Sequence, residues 1–339
     1  MADGAKTRAR ADQPNVRAIA DLGRLRETRL GRALNWETVG LPLMTALVAY
    51  VFWYLTPAFL TLSNFANVAR QIAALALVAW GQAVVILSAG IDLSVGSVAA
   101  MVSVFAARGM HEHGVLGFLG YGLLAGLGAG LVNGLAVGKL RLAPFIATLG
   151  MLSITRGIAL TTTGGVPIFG LPSSWIYQIG RGFFGPVPIP VIIALVGLAL
   201  TWVLLYRTRF GKYVYAIGGN EEAAKLAGVS VPRTQILIYL FSGFMAACAG
   251  LVLTGRVQSG QPLLAEGLEL QAIGAVVIGG VSLFGGKGRL SGVIWGVILM
   301  GILGNGLNLI GVSTFAQGIV IGTVIILAVA GTETFRPRD

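Results

Sequence analysis

Hydrophobic positions along this chain come in long runs parted by short polar or glycine-rich breaks, not at the alternating spacing of half-buried strands. Runs near 20 residues with few charges mark helices that cross a bilayer, because only a helix satisfies its own backbone polar groups there. The pattern predicts an all-α polytopic membrane protein of about ten transmembrane helices, at 38–58, 68–89, 93–107, 115–138, 142–163, 188–206, 234–255, 268–284, 290–309 and 313–331. A basic tail over 1–37 precedes this transmembrane domain of 38–331, and a short tail over 332–339 follows it.

The longest charged interruption, 207–233, contains Gly218-Gly219-Asn220-Glu221-Glu222-Ala223-Ala224-Lys225-Leu226-Ala227-Gly228. Asn220 suits an N-cap, Glu221 and Glu222 sit where the helix dipole favours acid, and Gly228 suits the left-handed residue that ends a helix. About two turns result. So short a helix is marginal in water, so its order has to come from packing Ala223, Ala224, Leu226 and Ala227 on something else. Its own membrane domain, lipid headgroups and a partner protein are all open to it.

Composition agrees with the runs: 55% of residues are hydrophobic and 11% charged, against about 25% charged in ordinary soluble domains. The net charge of +11 is not a nucleic-acid signature, because the cations are gathered on no face and interleaved with no stacking aromatics. They are sorted by side. With a cytoplasmic N-terminus, only Arg70, Arg108, Arg181 and Arg256 of the 24 basic residues fall outside and Arg156 falls within a span, leaving 19 inside. That is the positive-inside distribution, and it predicts that both termini and the 207–233 loop are cytoplasmic. Residues 1–37 lack the early apolar stretch of a signal peptide. Ile19, Leu22, Leu25, Leu30 and Leu34 among arginines suit an amphipathic helix on anionic lipid, while 1–15 has the composition of a disordered segment.

Two features read as architecture. Gly122, Gly126, Gly130, Gly134 and Gly138 draw a stripe without side chains along the fourth span, where another helix can approach closely; Gly292 and Gly296 repeat the device in the ninth. Cys248 stands alone, which excludes an internal disulfide and a multi-thiolate zinc site.

Candidate chemistry is sparse. Gly90-Ile91-Asp92-Leu93-Ser94-Val95-Gly96-Ser97 breaks the membrane pattern, either as an N-cap on Asp92 for the third span or as a discontinuous helix lining a path. Gly279-Gly280-Val281-Ser282-Leu283-Phe284-Gly285-Gly286-Lys287-Gly288 resembles it faintly, and fails as a phosphate loop because Gly286 holds the lysine position. His111, Glu112 and His113 lack a third well-spaced ligand and read as a polar turn rather than a metal site. Arg156 is costly in a span and must face protein or water, satisfying carbonyls or the turn Thr161-Thr162-Thr163-Gly164. No nucleophile, base and acid converge, so no catalytic residue, metal or cofactor is expected.

Taken together, the GIDLSVGS break at 90–97, the run from Asn133 through Lys139-Leu140-Arg141-Leu142-Ala143-Pro144-Phe145-Ile146-Ala147-Thr148-Leu149-Gly150, and FGKYVYAIGGNEEAAKLAG at 210–228 resemble the ribose-type permease family. These are the membrane subunits of bacterial ABC importers for monosaccharides. The resemblance runs from about Leu60 through Val312. It implies an inner-membrane permease paired with a second permease subunit, alike or related, and a periplasmic sugar-binding protein. It also implies cytoplasmic ABC ATPase domains, often fused in one chain, which hydrolyse the ATP. The EEAA pattern at Glu221, Glu222, Ala223 and Ala224 would dock on the ATPase, with Gly219, Asn220, Lys225, Leu226 and Gly228 completing the element. Asp92, Ser94, Asn133, Asn305 and Asn308 are the candidates for the translocation path. Glu269-Leu270-Gln271 departs from the family, which commonly has an acid after Glu-Leu. The competing readings are a related ABC permease for branched-chain amino acids or nucleosides and an ion-coupled carrier, the latter disfavoured because only Arg156 and Asp92 are ionisable groups in the membrane.

Overall fold

The computed structural model describes residues 39–172 and 174–334. The basic tail expected over 1–37 and residues 335–339 of the C-terminal tail lie outside the described residues. The helices are α1 (Leu41–Leu55), α2 (Leu62–Leu87), α3 (Val95–Gly138), α4 (Pro144–Thr163), α5 (Ser174–Arg181), α6 (Ile189–Arg207), α7 (Arg209–Gly219), α8 (Glu221–Leu226), α9 (Val231–Val257), α10 (Leu268–Ile278), α11 (Leu290–Leu309) and α12 (Thr314–Thr334). A two-residue hairpin, β1 (Phe183–Phe184) with β2 (Val187–Pro188), lies between α5 and α6. The fold is an all-α polytopic membrane bundle. Among the described residues six helices, α2, α3, α4, α6, α9 and α11, are long and apolar enough to cross a membrane.

α3 would be about 66 Å long if straight, twice the hydrocarbon thickness. It is not straight. His113 and Gly114 leave helical geometry, Gly114 at φ +63°, and the chain doubles back so that Gly109 abuts Gly117 and Ala106 faces Gly122. The expected third and fourth spans are therefore the two arms of one helical hairpin, and the third runs on past its expected end at 107. Around the turn Arg108 pairs with Glu112 (2.9 Å) and Tyr121 donates to the same carboxylate (3.2 Å), so Glu112 belongs to the polar turn.

The glycine stripe on the second arm of α3 meets α9 along its whole length. A side chain at Gly126 would strike Ala247 and Gly243, at Gly130 the Tyr239 carbonyl, at Gly134 the Ile236 backbone and at Gly138 the Pro232 carbonyl. This seam is the centre of the bundle, since α9 also packs on α2 and α5. Gly292 and Gly296 do the same work between α11 and α10, against Gly279 and the Ala275 carbonyl.

Two stretches of irregular backbone enter the bundle from opposite ends. Residues 88–94 follow α2 at the end that carries α7 and α8, and 258–267 follow α9 at the other end. The second reaches the first turn of α3, directly after the first stretch, where Gly96 packs on Glu269 of α10 and the Ala265 carbonyl. Irregular backbone is tolerated at such depth only when protein satisfies it. Ser103 accepts from the Gln261 N–H (3.1 Å), and Arg156 donates to the carbonyls of Pro262 (2.8 Å) and Leu264 (3.3 Å). Arg156 thus has the structural role expected of it, toward carbonyls of the 258–267 stretch and not toward the Thr161–Gly164 turn.

Candidate functional site

The short charged helix forms as its cap chemistry requires. Asn220 is extended and its side chain accepts from the Ala223 N–H at 2.9 Å; Gly228, at φ +83°, ends the element. Lys225 reaches back to Glu221 (2.9 Å) and Glu222 (2.7 Å). Those bonds hold the Glu222 carboxyl below its usual range and the Lys225 ammonium above its own, so both stay charged around neutrality. Arg141, in the loop between α3 and α4, adds to the field on Glu222.

The packing differs from the expectation that Ala223, Ala224, Leu226 and Ala227 would all be covered. Only Ala224 is buried, in a small cluster with Ile217 of α7 and Val231 of α9. Leu226 is 90% exposed, and Ala223 and Ala227 face outward with it. Six residues cannot lay four side chains on one surface, because successive positions rotate by about 100°. The result is a helix pinned by one alanine that presents acids and one leucine away from the bundle.

A preceding helix, α7, went unread in the sequence. Its buried Gly211, Val214, Ile217 and Gly218 recur at three- and four-residue spacing, which was a legible signal beneath its glycines and aromatics. Together α7 and α8 cover a cavity of about 620 Å³ at this end of the bundle, bounded also by Ser88, Arg141, Pro144 and Gln235.

Deeper in, Asp92 gathers the polar groups of the break. It is 2% exposed. One carboxylate oxygen accepts from the Ser94 N–H (3.0 Å) and hydroxyl (2.6 Å), and the other from the Ser242 hydroxyl of α9 (2.8 Å). Asn133 of α3 donates to the Ser94 hydroxyl (2.9 Å), and Gln82 of α2 faces the Asp92 backbone, where its amide, turned so that the oxygen meets the N–H, pairs with both the N–H (3.2 Å) and the carbonyl (3.1 Å). Ser97 extends the chain to Thr155 of α4 (2.7 Å). Asp92 is not the helix cap that one reading expected: α3 starts after Ser94, and the extended backbone of the break leaves Asp92 closing a turn on Ser94 instead. A buried carboxylate stands here because hydroxyl and amide donors from α3 and α9 replace water.

Of the five path candidates, the structure brings Asp92, Ser94 and Asn133 together. Asn305 lies elsewhere, in a reciprocal amide pair with Asn64 (3.0 Å both ways), and Asn308 is exposed near the end of α11. Ser242 and Gln82 went unnoticed in the sequence. Gln82 carried the clearest signal, as a lone amide in the apolar run 73–87.

A family profile described as the permease component of a branched-chain amino acid transport system matches residues 64–329. The ribose import permease of Bacillus subtilis (strain 168) is 48% identical over 81% of this chain and 86% of its own length. The ribose import permease of Escherichia coli (strain K12) is 41% identical over 81% of this chain and 87% of its own. The D-allose permease of the same organism is 37% identical, over 88% and 92%. No solved structure matches the chain.

Proposed function

This chain belongs to the ribose-type family of ABC importer permeases, and from that premise we propose that it carries a monosaccharide, a ribose-like pentose or near relative, across the bacterial inner membrane. The ATP is hydrolysed on a separate cytoplasmic subunit, and a periplasmic binding protein delivers the sugar. The permease acts as a dimer, with ten spans and both termini in the cytoplasm. The hairpin of α3 supplies two of those spans, and α1, α10 and α12 are counted among the rest. The charge distribution supports the orientation.

The observation that carries this reading is α8, a capped helix held by Ala224 alone and turned outward through Leu226, Glu221 and Glu222. An exposed apolar side chain on a helix whose first turn carries two acids, on a loop of the basic side, suits a protein partner better than anionic lipid. ATP-driven movement of that partner displaces α8, and α9, which follows it directly and forms the central seam, moves with it. A binding-protein-dependent path needs polar, uncharged contacts at its core. Ser94, Asn133 and Ser242, closed on one another and on Asp92 in this state, would offer them when the pathway opens.

The description of the matching family favours a second reading, transport of a branched-chain amino acid. One uptake experiment separates the two. With the permease, its ATPase and its binding protein in proteoliposomes, labelled ribose should enter only when ATP is enclosed, and a hundredfold excess of leucine should leave uptake unchanged. ATP-dependent leucine entry without ribose entry would establish the second reading.

A further inference from the structure

Beyond the packing of Gly279 on α11, the glycine-rich segment 279–288 occupies the junction between the α7–α8 loop and the Asp92 break. We propose that it is a second transmission element, a rigid spacer that passes displacement of α7 and α8 to the α2–α3 break. The proposal rests on the reading of α8 as the ATPase contact.

Three backbones are stacked there without side chains between them. The Gly286 N–H donates to the Leu87 carbonyl at the end of α2 (2.9 Å). A Cβ on Gly286 would stand 2.8 Å from the Gly219 backbone, and one on Gly285 would stand 2.6 Å from the Ala89 nitrogen. A Cβ on Gly218 would strike the Leu87 carbonyl and the Gly286 nitrogen together. Gly285 and Gly286 are at φ +80° and +69°, so glycine is needed both for conformation and for approach.

The spacer is stiff and tied at its margins. Ser282 N–H bonds the Lys287 carbonyl and Gly285 N–H the Ser282 carbonyl, both at 2.9 Å, which closes the segment on itself. The Tyr215 hydroxyl of α7 donates to the Gly288 carbonyl (3.0 Å), and the Tyr206 hydroxyl of α6 accepts from the Leu290 N–H (3.0 Å). Contacts between side chains absorb small movements by changing rotamer, whereas backbone touching backbone has no such freedom and transmits strain. On the far side of the stack the chain passes Ala89, held at φ +63°, and three residues later reaches Asp92 and its bond to Ser242. Gly218, Gly286 and Tyr215 are positioning residues in this arrangement.

The test uses the complete transporter, with ribose-loaded binding protein as the stimulus. Gly218→Ala should still co-purify the ATPase and keep its unstimulated hydrolysis, while stimulated hydrolysis and ribose uptake fall about tenfold. Tyr215→Phe, which adds no volume, should lower stimulation about threefold; Tyr213→Phe, two residues away on an exposed position, should leave it unchanged. Wild-type stimulation in Gly218→Ala overturns the proposal, as does a loss that only parallels lost ATPase association. If Gly218→Ala does not accumulate, Tyr215→Phe decides, and wild-type stimulation in it overturns the proposal. Failure of the α8 reading looks different, because Glu222→Arg would then be silent as well.

Discussion

Gly130→Leu should prevent the chain from accumulating as a folded permease. A side chain at position 130 meets the Tyr239 carbonyl and, at 3.1 Å, the Leu240 Cα, which are backbone atoms of α9 that no rotamer change moves aside. The two helices must separate, and the seam on which α9 meets α3 opens. Overpacking by a few methylenes costs about 1–3 kcal/mol where side chains can yield, so forcing backbones apart costs at least the top of that range out of a total stability of about 5–15 kcal/mol. Gly128→Leu, two residues away and facing open space, is the matched control and should purify as a single species with the native melting temperature. Size-exclusion profiles and thermal unfolding in detergent read the difference. A monodisperse Gly130→Leu protein with native melting would mean that α3 and α9 do not meet on the glycine stripe.

Glu222→Arg has the second large effect, on coupling and not on folding. The Glu222 side chain is 79% exposed and its side-chain bond is to Lys225 of the same short helix, so the bundle loses nothing by its replacement. The new cation stands beside Lys225 and in the field of Arg141, at the positive end of the α8 dipole. It reverses the charge offered to the ATPase. Like charges brought together at an interface cost enough to lower binding by about tenfold or more. Expression and melting should match the parent while ribose uptake falls by at least about that factor; Glu222→Gln, which only removes a charge, should lose less. Uptake at the parental level in Glu222→Arg would remove α8 from the mechanism.

What was legible in the sequence was local or periodic. Asn220, Glu221, Glu222 and Gly228 signal α8 because a cap, acids at the positive end of the dipole and a left-handed glycine all act within one or two turns. The stripe from Gly122 to Gly138 is visible because four-residue spacing is itself the contact geometry. The turn at His113–Gly114 was expected as a loop, and two residues sufficed to make it. Asp92, by contrast, finds Ser242 150 positions away, and Asn64 finds Asn305 across 241. No spacing rule connects such pairs, so five polar residues that looked alike in the sequence divide into a buried cluster, a structural tie and an exposed asparagine. The outward turn of Leu226 was likewise unreadable, because a helix of six residues gives no period from which to choose its covered face.

The account stands on what touches α8, and that is measured by placing a photoreactive phenylalanine analogue at position 226 of the assembled transporter. Leu226 is exposed and outside every cluster of the bundle, so the substitution leaves the fold intact. Illumination should yield a covalent adduct between this chain and the ATPase, in a yield that changes between nucleotide-free and ATP-bound states. Adducts confined to lipid or to the permease itself, in a complex that still contains the ATPase, would contradict the account.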